Sequence, residues 1–395
     1  MRQVLITGAT GFIGGRLAEV ACGQGIPVVG LVRAWSHAAR LARLPVHMVG
    51  GDILYPDSLR EAMKDCDVVF HCAVDNSVGG KAHRQASVQG TVNVLQIALE
   101  MGVKRVVHLS SAAVHSYKPR PDAATEEGAY RYSGDTYCDG KIDGEKAALR
   151  YWRQHGLPVT VLRPTIVFGP FGYHTVHTAA FIREGRMVLV NGGTGICNSL
   201  YVDNLVEAML LAAEHQGAVG EVFHISDARP ISWKEFIEGH ARALGDSYLP
   251  LSEMTVREIA ETRAQMTGIN LITSSWKQVL RLAHDPLMLQ ALVSIPIVKR
   301  SAQMVRSVAR VVLPGPTRLL LRQRLISENS IGSLSSITQS ESCSTLSPSE
   351  VGMFTTFDEV TFKIDKARRI LGYEPSIDFA EGMRRTAAWI QWARL

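Results

Sequence analysis

None of the six cysteines, Cys22, Cys66, Cys72, Cys138, Cys197 and Cys343, lies in a CxxC pair or at metal spacing to a histidine. That pattern reads as reduced, intracellular thiols. The histidines at 71, 108, 115, 174 and 177 form no HExxH or related spacing, so no metal is expected. No apolar run reaches the roughly 18–20 residues of a membrane-spanning helix. A formal charge of +5 over 395 residues is too small and too dispersed to indicate a nucleic-acid partner. The chain opens directly on the strand pattern Val4-Leu5-Ile6, without the charged and apolar regions of a secretory leader, and a cytoplasmic location is the expectation. No internal repeat is present.

What is there is an ordinary globular balance, 46% hydrophobic and 20% charged residues, at a length that suits one large α/β domain with a satellite, or two domains. Short β-rich runs at Val4–Thr7, Val28–Val32, Val68–His71, Arg105–Ser110 and Val159–Arg163 alternate with helix-like stretches at Phe12–Gln24, Ser58–Lys64, Ser87–Met101 and Tyr137–His155. This is the βαβ rhythm of a parallel, doubly wound sheet covered on both faces, with seven strands expected. Beyond Pro170 the rhythm loosens. A Gly-rich turn at Asn191–Gly195 is followed by a helix at Val202–His215, a short strand at Glu221–Ile225 and a renewed strand-and-helix pattern at Thr361–Leu371. The expected organisation is a nucleotide-binding domain over 1–169 to which 198–226 returns. A substrate region then takes 170–197 and 227–395.

Thr7-Gly8-Ala9-Thr10-Gly11-Phe12-Ile13-Gly14 places glycines directly after a strand and at the start of a helix. Gly8 and Gly11 let the backbone turn and approach a pyrophosphate, Gly14 lets the helix pack close, and the helix N-terminus offers free N–H groups to phosphate. Glycines also serve ordinary turns; the strand before and the helix after favour a dinucleotide. Where NAD binders carry an acid, at the end of the second strand, this chain has Leu31-Val32-Arg33 with His37 and Arg40 following. A guanidinium suits a ribose 2′-phosphate, so NADP(H) is favoured over NAD(H), although Arg33 as a plain surface charge is the alternative. Gly51-Asp52-Ile53 precedes a helix, and Asp52 there is placed to accept from the adenine amino group.

Tyr137 and Lys141 stand at i and i+4, on one face of a helix. A close ammonium favours the phenolate and is expected to lower the tyrosine pKa. Ser111, at a strand C-terminus facing the crevice, is the candidate to hold a substrate oxygen, with Ser110 its competitor. Such a pair alone is common on helix surfaces; its order after the glycine turn gives it weight.

Residues 250–350 break the pattern. Leu287–Val298 is almost wholly apolar, Lys299–Arg324 is basic, and Ser327–Ser349 is Ser-rich. Residues 287–326 have the composition of a peripheral membrane contact, whereas Pro296, Pro314 and Pro316 would interrupt one long amphipathic helix and favour a helical lid with a solvated basic face. His174 and His177, just after Pro170, and Asn198 are candidates for substrate contact. Trp389 and Trp392 fit a packed helix face.

The ordered set TGATGFIG (7–14), GDI (51–53), FHCA (70–73), QGTVNVLQIAL (89–99), SSAAVH (110–115), YCDGK (137–141), RPTIVFGP (163–170), YVDNLVEA (201–208) and KARRILGYEP (366–375) resembles the extended short-chain dehydrogenase/reductase family, also described as the NAD-dependent epimerase/dehydratase family. The resemblance covers nearly the whole chain except 250–350. It implies a Rossmann-type sheet, a smaller C-terminal substrate domain and a Ser111-Tyr137-Lys141 triad. It also implies cofactor contacts from Gly8, Thr10, Gly11, Phe12, Ile13, Gly14, Arg33, Asp52, Ile53, Cys72, Ala73, Pro164 and Val167. Ser87 and Gly140 depart from the residues many members carry, Asn and Ser. Members that eliminate water resemble one another in an Asp-Glu pair after the catalytic Ser or Thr, where this chain has Ala112 and Ala113. Thr165 stands where epimerases of sugar nucleotides often show Asn. The expectation is hydride exchange with a secondary alcohol or ketone, as in the dihydroflavonol-reductase and 3β-hydroxysteroid-dehydrogenase branch. An epimerase, or a dinucleotide-binding scaffold without catalysis, is the alternative. A small-molecule substrate and a homodimer are compatible with all three.

Overall fold

The computed structural model describes residues 1–74, 80–227, 229–262, 346 and 348–395. Residues 1–256 with 346–395 form one unit and residues 257–345 a second. Most of the expected helical insertion, the proposed membrane contact at 287–326 and Cys343 fall within 263–345, outside the described residues. Among the described residues no helix is long and apolar enough to cross a membrane.

The first unit is built in three layers. Its strands and helices run β1 (Val4–Thr7), α1 (Phe12–Gly23), β2 (Val28–Val32), β3 (Val46–Gly50), α2 (Pro56–Ala62), β4 (Val68–His71), α3 (Gly80–Glu100), β5 (Arg105–Leu109), α4 (Thr136–His155), β6 (Val159–Pro164) and β7 (Ile166–Phe168). They continue with α5 (Tyr173–Arg183), β8 (Leu189–Val190), β9 (Ile196–Cys197), β10 (Ser199–Tyr201), α6 (Val202–Glu214) and β11 (Val222–Ile225). Later helices include α7 (Trp233–Leu244), α8 (Asp365–Leu371) and α9 (Phe379–Ala393), with a short helix at Pro348–Met353 between the first two. Seven strands form one sheet in the order β3-β2-β1-β4-β5-β6-β11, with every neighbouring pair parallel. The fold is Rossmann-type α/β. The strands β1, β2, β5 and β6 are buried at every position, which explains their continuous Val/Leu/Ile runs: a parallel sheet has helices on both faces. One face is filled by Leu17, Ala18, Leu205, Met209 and Leu371 from α1, α6 and α8. Leu59, Val94, Leu95, Ala98 and Ala148 from α2, α3 and α4 fill the other.

The strand order reverses between β1 and β4, and in such sheets ligands bind at the carboxyl ends beside that reversal. The register Thr7↔His71 and His71↔His108 therefore aligns the ends of β1, β4 and β5 at one crevice.

The segment after Pro170 contains more order than its sequence pattern suggested. Phe168 meets Tyr201, Phe236 of α7 and Phe379 of α9 with ring centroids 5.4, 5.8 and 5.4 Å apart, and this aromatic cluster packs α7 and α9 together. The strand expected from Thr361 does not form. Phe362 N–H donates to Asn198 Oδ1 (3.1 Å) and Lys363 N–H to the Ala124 carbonyl (2.8 Å), so this backbone finds a side chain and a loop in place of a ladder. Trp389 packs on Phe171 (4.9 Å) as expected of a packed helix face, but Trp392 is 72% exposed and does not share it.

Candidate active site

The glycine turn joins β1 to α1 and lies against the end of β4. Gly8 has φ +69°, and a Cβ there would come within 2.8 Å of the Ala73 amide nitrogen, so only glycine fits the crossing. A Cβ on Gly14 would run into the Gly8 carbonyl oxygen. Gly11 is the N-cap of α1, with no side chain capping the helix and no acid in the first turn, so its leading N–H groups face the turn uncontested. These are the features that a pyrophosphate requires: a Cβ-free cradle at a positively polarised helix end. The turn also brings Gly8 to Cys72 and Ala73, two residues the sequence placed at the same site.

The end of β2 separates the two arginines of the cofactor question. Arg40 is occupied: its Nε donates to Glu19 (2.6 Å), its Nη1 to the Phe12 carbonyl (3.3 Å), and its guanidinium lies 4.4 Å from the Phe171 ring centroid. Arg33 is exposed and meets no carboxylate among the described residues. Trp35, 58% exposed, lies beside it over Gly50. Asp52 accepts from the Leu54 N–H (2.9 Å) in a local turn, and Ile53 packs on Gly90 of α3.

At the end of β5 the two serines part company. Ser110 Oγ donates to Glu145 (2.5 Å) in the interior, whereas Ser111 Oγ accepts from the Ala113 N–H (3.1 Å) and lies near Tyr137. The strand end thus offers one serine to the core and the other to the crevice. Asp135 caps α4, accepting from the Tyr137 and Cys138 amides (3.0 and 2.8 Å), and this fixes where the helix begins and which way Tyr137 faces.

Lys141 Nζ donates to the Leu109 carbonyl (2.8 Å) and lies 5.8 Å from the Tyr137 ring centroid. Burial brings its pKa down to about 8, with Cys72 and Glu145 opposing. Tyr137 departs from expectation. Burial raises its pKa above the ordinary phenol value, and the nearby Ser111 hydroxyl only partly opposes this. The expected lowering by Lys141 does not appear because the ammonium is drawn toward β5. Around Lys141, His71 is brought to about 3 by burial and then by the Lys141 charge, while burial pushes the Cys72 thiol up to about 12. Imidazole and thiol are thus neutral, and the ammonium is the charged group among them. His71 donates to Thr91 (3.0 Å), whose hydroxyl donates to the Ser87 carbonyl (3.2 Å), and accepts from Thr7 (2.8 Å), which ties β1 to α3 directly beneath the turn.

Pro164 is buried at the end of β6 and Val167 is half-buried in β7, both leading out from the crevice. The proposed substrate residues are placed elsewhere or bound otherwise. Asn198 uses its amide to hold the Phe357 and Val360 carbonyls (3.3 and 2.8 Å) and its oxygen to hold Phe362, so it clamps the C-terminal segment. His177 lies between Tyr173 (4.1 Å) and Phe181 (5.9 Å) on α5. His174 is pushed down to about 4 by burial and then by His240 and His177, in the packing of α5 on α7. Sequence reasoning missed Glu145, four residues beyond Lys141 on the same face of α4, although that spacing was a usable signal.

Residues 4–226 match the profile of the NAD dependent epimerase/dehydratase family, and the chain belongs to that family. It is an enzyme of the extended short-chain dehydrogenase/reductase class, an NAD(P)-dependent reductase or dehydrogenase. It is 30% identical over 249 residues to a 4-hydroxy-2-methyl-3-oxo-4-farnesyl-3,4-dihydroquinoline-1-oxide ketoreductase of Stigmatella aurantiaca, covering 60% of this chain and 71% of that protein. A 2-alkyl-3-oxoalkanoate reductase of Stenotrophomonas maltophilia is 28% identical over 253 residues, 62% of this chain and 76% of its own length. Among solved structures, UDP-glucose 4-epimerase of Thermotoga maritima superposes with a TM-score of 0.66 at 16% identity, covering 100% of each chain, a likeness of fold.

Proposed function

We propose that the enzyme reduces a ketone to a secondary alcohol at the expense of NADPH, with Tyr137 as proton donor, Ser111 holding the substrate oxygen and Lys141 as the partner of Tyr137. The observation that carries this reading is the placement of Ser111 at the end of β5, with Lys141 bonded to the Leu109 carbonyl of that strand and Tyr137 one turn earlier on α4, and with β4 between this strand and the one that bears the glycine turn. The nicotinamide, when bound, supplies the hydride to the carbonyl carbon. Tyr137, protonated because burial raises its pKa, gives its proton to the oxygen that gains charge. Ser111 donates to the same oxygen, and Lys141, once it leaves the Leu109 carbonyl, would set its charge beside the phenolate left behind. Gly8, Thr10, Gly11, Phe12, Ile13 and Gly14 would hold the pyrophosphate, and Arg33 the 2′-phosphate. Asp52, Ile53, Cys72, Ala73, Pro164 and Val167 would line the rest of the cofactor.

The sequence relatives are named for ketones on apolar frames, a farnesylated quinoline oxide and 2-alkyl-3-oxoalkanoates, and a Mycobacterium tuberculosis relative, 30% identical over 268 residues, is named 3 beta-hydroxysteroid dehydrogenase/Delta 5-->4-isomerase. An apolar ketone is the substrate class we infer. NADPH consumption measured against alkyl β-keto acids, steroid ketones and sugar nucleotides tests it. Turnover confined to epimerisation of a sugar nucleotide, with no net cofactor use, overturns it.

Two predictions belong here. Arg33→Ser removes the charged contact to the 2′-phosphate, worth about 1.5–3 kcal/mol, so KM for NADPH rises roughly ten- to hundredfold while KM for NADH stays unchanged. Equal changes for both cofactors would remove Arg33 from this role. The second concerns pH. Lys141 loses its proton as pH rises through about 8, and Tyr137 titrates above its ordinary value, so reductive kcat/KM is level below pH 8 and falls above it. Lys141→Arg, charged throughout, moves that limb upward; a profile of the wild type level to pH 10 contradicts the assignment.

A further inference from the structure

Glu145 is fully buried on α4, four residues beyond Lys141 and eight beyond Tyr137, and the three share one helix face. Its carboxylate accepts from Ser110 Oγ (2.5 Å), from Tyr130 Oη (2.8 Å), and from Arg163 through Nε (3.1 Å to each oxygen) and Nη2 (2.6 Å). Arg163 is itself 2% exposed at the end of β6. Its Nη1 donates to the Glu126 carbonyl (3.0 Å) and to His115 Nε2 (3.1 Å). His115 donates from Nδ1 to the Ala129 carbonyl (3.0 Å), which leaves Nε2 as an acceptor for Arg163 and for His224 (3.2 Å). His115 sits in the helical turn that Ser111 caps, and His224 in β11.

Every element that carries a proposed catalytic residue is therefore tied to one carboxylate: α4 directly, the end of β5 through Ser110, β6 through Arg163, and the turn after Ser111 through His115. Burying this ion pair does not by itself favour the fold. Two desolvated charges cost several kcal/mol, and apolar replacements of similar volume are often neutral or stabilising. What an apolar core cannot supply is direction: a bidentate guanidinium–carboxylate pair and a short hydroxyl bond fix distance and angle together.

We propose that Glu145 is a positioning residue, holding Ser110 on one side and the Tyr137–Lys141 helix face on the other, and so setting the placement of Ser111 against Tyr137. The proposal rests on the Ser111-Tyr137-Lys141 reading above. Its sensitivity follows from the geometry: Ser111 is one residue beyond Ser110, and a shift of about 1 Å between reacting groups is enough to lower a rate about a hundredfold.

The test uses the full chain and two independent variants. Ser110→Ala removes one bond to Glu145 and leaves the ion pair with Arg163 intact. Its kcat falls about tenfold, by a displacement smaller than 1 Å, while the NADPH dissociation constant stays near wild type and the thermal midpoint drops only by the cost of one buried hydrogen bond to a charged group. Ser110→Thr, which retains the hydroxyl, recovers most of the rate. Glu145→Leu with Arg163→Met replaces the pair by apolar side chains. Its folded, NADPH-binding form loses kcat by a larger factor than Ser110→Ala, with KM for the cofactor little changed. Wild-type kcat in Ser110→Ala overturns the proposal, whether or not the double variant folds. Tyr137→Phe is measured alongside: activity in that variant defeats the catalytic reading itself, whereas an inactive Tyr137→Phe with a fully active Ser110→Ala defeats the positioning role alone.

Discussion

Tyr137→Phe lowers reductive kcat by roughly 10²–10⁴-fold, the usual contribution of a positioned general acid, and leaves NADPH affinity nearly unchanged. The reason lies in what the substitution removes. Phenylalanine keeps the ring that α4 presents beside the crevice and deletes the hydroxyl that would protonate the substrate oxygen. Phosphate-turn contacts are untouched, because Gly8, Gly11 and Gly14 belong to a different element. Steady-state kinetics paired with fluorescence titration of NADPH separates the two quantities. A variant that retained substantial turnover would require another proton donor. Near this site the neutral candidates are the Cys72 thiol, held at about 12, and His71, held at about 3, and neither is suited to the task near neutral pH.

Gly14→Ala has the second large effect, on stability and cofactor binding together. A Cβ there meets only backbone: the Gly8 carbonyl oxygen, the Gly8 carbonyl carbon at 2.8 Å and Ala9 Cα at 3.2 Å. No flexible side chain can move aside, so α1 must lift from the turn. Overpacking of this kind costs about 1–3 kcal/mol, and the displaced turn no longer presents its N–H groups to the pyrophosphate. We expect a lower urea midpoint and weakened NADPH binding. Gly23→Ala, at the other end of the same helix, is the control: a Cβ there meets nothing within 4 Å. Equal losses in both variants would show that α1 responds to any added methyl group and not to its contact with the turn.

The nucleotide-binding half was legible almost element by element. Fully buried parallel strands read as runs of Val, Leu and Ile, and β1, β2 and β4 occupy the spans expected of them. The later helices were harder to see. The packing of α7 and α9 draws on the Phe168 cluster, whose members lie far apart in the chain, so no local window contains the cause of their order. The same limit applies to Asn198. It was a candidate for substrate contact, and only the approach of residues 357–362 reveals that its amide is engaged.

The glycine turn, the shared helix face of Tyr137 and Lys141 and the serine pair at a strand end were legible from local pattern and from their order along the chain, because helix and strand periods fix which residues share a side. Spacing does not fix environment. Which serine faces the crevice was decided by Glu145 taking Ser110, and which arginine is free by Glu19 taking Arg40. The Tyr137 pKa was raised by burial, with the i+4 lysine held at the Leu109 carbonyl. Each of these outcomes depends on a partner from a distant segment or on the exclusion of water, and both exist only once the chain has folded.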